Sequence, residues 1–189
     1  MVTEFLILLM FAFQLQLTEI VTYISYYKFL SSAIIINNLN NVGYHELIRL
    51  VTSNLFHNSL NHLIINMIAF INVGIPIEDF LNNYHKYLYP KILFYLMIFS
   101  GIYSTLLHYL AYLFTGNNYF YQINYCGFSA VLFGLQFMFY FFTGSDFYNS
   151  MKQVLVQLFY IYLMIPNSSF FGHLGGILSG VTVIKLLGL

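Results

Sequence analysis

Residues 170–188 read FFGHLGGILSGVTVIKLLG. A single histidine, His173, stands near the start of a run of apolar and small residues that is otherwise broken only by Lys185 near its end. Gly172, Gly176 and Gly180 recur every four positions, which puts them on one face of a helix. A face of small residues lets two helices approach closely inside a membrane. The run therefore reads as a span, expected over about 171–188, whose outer turn carries a titratable group and whose side is built for close contact.

Working outward, the rest of the chain has the same character. Of 189 residues, 60% are hydrophobic and 21% aromatic, and only 6% are charged. A soluble domain carries about 25% charged residues, so the solvent for this chain is lipid. Net charge is zero and no basic block occurs, which excludes a nucleic-acid binder as a reading. Cys126 is the sole cysteine, so no internal disulfide can form. The length suits one domain, expected over 1–189.

Six apolar runs are long enough to count as candidate spans: about 4–24, 58–77, 91–114, 126–143, 151–166 and 171–188. The expected fold class is all-α, a polytopic membrane bundle of six transmembrane helices. The first run lacks a basic flank and a small-residue cleavage site, so it reads as an uncleaved span and not a signal peptide. Between the first two spans, residues 25–57 mix polar and apolar patches and are expected to form a structured loop in the outer interface. With the N-terminus cytosolic, Lys86, Lys91, Lys152 and Lys185 fall inside and Lys28 and Arg49 outside, in keeping with the positive-inside bias.

Polar groups inside a membrane are functional candidates. The second span opens with His57, His62 and Asn66, the fourth with Gly127 and Ser129, the sixth with Gly172 and His173. These even-numbered spans all run from outside to inside. His62, Ser129 and His173 each lie a few residues into their span, so at 1.5 Å per residue they share one shallow depth. A serine hydroxyl needs a base to become a nucleophile, and histidine serves near neutral pH. The oxyanion formed by attack on a carbonyl needs fixed donors, which Asn66 and His62 can supply. Spans four and six hold no acidic residue, so a Ser129–His173 dyad is expected, not a triad.

Three motifs, taken in order, resemble the rhomboid family of intramembrane serine proteases. His57 through Asn66 matches H-x-x-x-x-H-x-x-x-N, Gly127-Phe128-Ser129-Ala130 matches the G-x-S-x nucleophile motif, and Gly172 through Gly180 matches G-H-x-x-G-x-x-x-G. Arg49 and the Gly74/Glu78 pair agree more weakly. The resemblance implies a single rhomboid-like domain with Ser129 as nucleophile, His173 as general base, and His62 and Asn66 in the oxyanion hole. It implies no cofactor and no metal. The implied partners are the lipid bilayer and single-span membrane proteins, cleaved near the outer or lumenal face. The motifs look most like those of small six-span rhomboids of the endoplasmic reticulum, so an endomembrane location, endoplasmic reticulum or Golgi, is expected. Three positions depart from the family pattern: Ile48 before Arg49, Ala130 after the serine, and Phe133, where a tyrosine often stacks on the histidine.

Several residues have plainer readings. His57 is expected to be structural, and His85 and His108 to be incidental. Glu78 is expected to meet water or to cap a neighbouring element. A rhomboid-like pseudoprotease, binding membrane clients without cutting them, is the alternative function, but this chain keeps both members of the dyad. A transporter would need a polar stripe through the full bilayer. The fourth and sixth spans read as apolar beyond their outer turns.

Overall fold

The computed structural model describes residues 1–19, 49–83, 87–122, 126–165 and 168–189. Most of the expected outer loop, with Lys28 and Ile48, lies outside the described residues, as do His85 and Lys86. Among the described residues there are seven helices and no strand. They are α1 (Val2–Glu19), α2 (Leu60–Asn82), α3 (Leu88–Thr115), α4 (Asn118–Gln122), α5 (Ser129–Phe142), α6 (Phe147–Met164) and α7 (Phe170–Leu187). All but α4 correspond to the six expected spans. The molecule is a polytopic helical membrane bundle. By length and composition α2, α3 and α7 can each cross a bilayer, while α5 and the apolar part of α1 are shorter.

The helix ends follow local chemistry. Ser59 caps α2, its Oγ accepting the His62 amide at 3.1 Å. Asp146 caps α6 by accepting the Asn149 amide at 2.7 Å, which starts this helix four residues before the expected span. Ser169 caps α7 through the Gly172 amide at 3.0 Å. Gly116 and Gly188 end α3 and α7 in the left-handed conformation that glycine reaches without strain. The short α4 was not foreseen, because a five-residue piece shows no helical period.

The core forms around α5. This helix packs on α2, α3, α6 and α7, and Val131 through Leu135, Phe137 and Met138 are buried on it. Its 14 residues give about 21 Å of helix, against a hydrocarbon core of about 30 Å. It cannot span the membrane alone, so its outer end lies at the bottom of a hollow.

Helices α5 and α7 approach one another closely through glycines. A side chain at Gly176 would collide with the Ala130 carbonyl, and one at Gly180 would come within 2.7 Å of the Gly134 carbonyl oxygen. Gly172 does not share this contact. The space beside it holds the Ser169 hydroxyl, so its role is at the cap and not at the helix interface. At the opposite end of the bundle Glu78 lies inside α2, almost wholly buried. Its carboxylate accepts the amides of Val2 at 2.7 Å and Thr3 at 3.0 Å. It thus caps α1, supplying negative charge where a helix start needs it.

Candidate active site

Ser129 is the first residue of α5 and His173 the fourth of α7. His173 Nε2 and Ser129 Oγ are 2.9 Å apart, a distance at which the hydroxyl can donate to the ring. Among the described residues the other ring nitrogen, Nδ1, is buried with no hydrogen-bond partner, and none of them brings an anionic group to the imidazole from behind. Phe133 takes over part of that orienting task. Its ring stacks on His173 with centroids 4.6 Å apart and planes 26° from parallel.

The approach to Ser129 is held by the segment before α2. The Gly127 amide donates to the Ser53 carbonyl at 2.9 Å, and the Phe128 amide donates to His57 Nε2 at 3.2 Å. Burial, and then the neighbouring His62, push the His57 pKa down to about 3. It is therefore neutral, as an accepting nitrogen must be. His57 thus holds the turn into α5 through the Phe128 amide. Gly127 has φ +114, and a Cβ there would meet the His62 ring at 2.7 Å, so two constraints require glycine.

His62 and Asn66 both line the cavity that contains Ser129 and His173, a space of about 670 Å³. Asn66 is buried and its Nδ2 has no hydrogen-bond partner among the described residues, which leaves a donor at the cavity wall. The Ser129 amide belongs to the first helical turn, whose N–H groups have no partner within the helix. Three donors and a Ser–His contact thus open into one hollow. Among the described residues no three His, Cys, Asp or Glu side chains converge as metal ligands. Cys126 lies at the same mouth, its thiol 2.9 Å from Asn58 Oδ1, and burial pushes its pKa up to about 11.

Two features went unread in the sequence. His108, expected to be incidental, is almost wholly buried. Its Nδ1 lies 2.7 Å from the Ser104 carbonyl and its Nε2 3.1 Å from Ser169 Oγ. With a carbonyl as partner, Nδ1 carries the proton, so Nε2 accepts from the Ser169 hydroxyl. The oxygen of that hydroxyl in turn accepts the Gly172 amide, next to His173. His108 thus braces the cap that sets the start of α7. The signal available was the serine directly before a Phe-Phe-Gly-His run, an N-cap pattern. The second feature is Gln136 and Gln157, which line the same cavity. Span four is therefore not apolar throughout its inner half.

Residues 44–189 match the family described as the Rhomboid domain. The chain is also 31% identical over 152 residues to Rhomboid-like protein 14, mitochondrial, of Arabidopsis thaliana, covering 76% of this chain and 44% of that protein. It is 30% identical over 149 residues to Rhomboid-like protein 15 of the same plant, covering 71% and 35%. The chain thus spans less than half the length of either relative.

Proposed function

Because the chain belongs to the rhomboid family, we propose that it is an intramembrane serine endopeptidase working through a Ser129–His173 dyad. The observation that carries this reading is the 2.9 Å contact between His173 Nε2 and Ser129 Oγ in a hollow that also receives His62 and Asn66. Ser129 Oγ attacks the carbonyl carbon of the scissile peptide while His173 takes the hydroxyl proton. The Asn66 amide, a His62 ring N–H and the Ser129 backbone N–H receive the oxyanion. His173 then protonates the leaving amine, and an acyl ester remains on Ser129. Water, giving its proton to His173, attacks that ester, the carboxylic acid leaves, and Ser129 regains its proton.

The substrates are single-span membrane proteins. A peptide carbonyl within an intact helix is held in an internal hydrogen bond, so the cut segment must unwind. The place for that is near the outer face, where the short α5 leaves its hollow. The chain is an integral membrane protein. Its motif resemblance favours the endoplasmic reticulum or Golgi, and the printed name of one relative is mitochondrial. A tagged chain that co-localised with a mitochondrial marker would overturn the endomembrane placement.

The test is cleavage of tagged single-span proteins by the chain in proteoliposomes, beside a fluorophosphonate probe. Ser129→Ala and His173→Ala are each expected to lower cleavage by roughly 10³-fold or more, and Ser129→Ala to abolish labelling. Client binding by the unaltered chain with no cleavage of any client, and no labelling, would reject the protease in favour of a binding protein.

A further inference from the structure

Beside Ser129 the cavity continues as a crevice between α2 and α6. Ile65, Ala69 and Val73 of α2 form one wall, at helical one-turn spacing, and Ile161 and Ile165 of α6 form the other. Both helices pack on α5, but among the described residues they make little contact with one another. The crevice therefore opens sideways toward lipid, and Ile65 and Ile165 stand exposed at its rim. Apolar walls with a lateral opening fit a membrane-spanning segment, not a water-soluble ligand.

The crevice also carries two amides, Gln136 from α5 and Gln157 from α6. Gln136 follows Ser129 by seven residues, so it shares that helix face about 10 Å farther in. The Oε1 of Gln157 is buried with no hydrogen-bond partner among the described residues. An amide held this way in apolar surroundings is costly, and lipid tails at that depth offer it nothing. A hydrogen-bonding group on a bound segment would remove the cost.

We propose that Gln136 and Gln157 form a recognition site for an amide or hydroxyl side chain carried within the membrane span of the bound protein, about two helical turns inward of the bond facing Ser129. The inference deepens the protease reading and rests on it for the identity of the bound segment. A helical segment covers ~10 Å in about seven residues, and an extended one in about three. The favoured position therefore lies about three to seven residues inward of the cleaved bond.

The experiment uses the full chain as Ser129→Ala in proteoliposomes, so that binding is read apart from hydrolysis. Leu-rich single-span peptides carry one Asn, walked from three to nine residues inward of the cleavage position, and compete with a fluorescent reference peptide. At one position or two adjacent ones, Asn is expected to bind about 2–10-fold more tightly than Leu. Replacing Gln136→Met and Gln157→Met together, which keeps side-chain length, is expected to bring that ratio to about one. The single change Gln157→Asn draws the amide back by one methylene and is expected to lower the ratio in a chain that keeps its polarity. An all-Leu peptide that still binds each variant shows that it is folded. A flat profile in the starting chain, or a profile unchanged in both variants, overturns the site. If the profile appears but the unaltered chain cleaves nothing, the protease reading fails and the recognition site stands.

Discussion

At Phe133 the site departs from what serine proteases generally need. A catalytic histidine must be held in one orientation, and a carboxylate commonly does this from behind. Among the described residues His173 has no such partner, and the ring of Phe133, 4.6 Å away, limits its tilt instead. Stacked rings contribute about 0.5–1.5 kcal/mol. Phe133→Leu is therefore expected to lower kcat by roughly 2–10-fold with KM almost unchanged, while Phe133→Tyr keeps the stacking and most of the rate. Steady-state cleavage of one substrate by the three chains decides it, and an equal rise in KM would assign Phe133 to substrate binding. Cys126 gives a pH prediction. Burial disfavours the thiolate and raises its pKa to about 11, and only the thiolate reacts. Maleimide labelling of the folded chain should keep accelerating well above pH 9, whereas in denatured chain the rise should level off beyond the ordinary thiol pKa of about 8.5.

Between helices, the dyad depends on how closely α5 and α7 approach. Gly176 has no room for a side chain against the Ala130 carbonyl, and that carbonyl is one residue from Ser129. Gly176→Val must push the helices apart, at a cost of about 1–3 kcal/mol for an overpacked contact. It must also lengthen the Ser129–His173 contact. A lower unfolding temperature in detergent together with loss of fluorophosphonate labelling is expected. Full labelling would show that α5 and α7 can separate without opening the dyad. The same contact shows what the sequence could and could not convey. The four-residue glycine spacing, the single histidine of span six and the single serine of span four were legible because helical periodicity turns spacing into a shared face. The Ser169–His108 brace was not, because its partners lie 61 positions apart and nothing in either local run points to the other. Gln136 was overlooked for a related reason. One amide in an apolar helix looks incidental until the fold places Gln157 in the same crevice.

For the whole molecule, charge fixes which side of the membrane the hollow faces. Lys91 begins α3, Lys152 lies early in α6 and Lys185 is in the last turn of α7. Alternating helix directions bring these three cations to the end of the bundle where Glu78 caps α1. Arg49 and Ser129 lie at the other end. Lys and Arg are retained preferentially on the cytosolic side during insertion, so the Lys end should be cytosolic and the hollow lumenal or external. Single cysteines can read this in a Cys126→Ser background. Lys152→Cys and Asn117→Cys are both at exposed positions, on opposite ends of the bundle. In sealed vesicles with the cytosolic face outward, an impermeant maleimide should label Lys152→Cys at once and Asn117→Cys only after permeabilisation. The reverse order would turn the hollow toward the cytosol. It would leave the chemistry of Ser129 and His173 as described, but move every cleaved segment to the other face of the membrane, so the substrates would have to be sought among proteins with the opposite exposed ends.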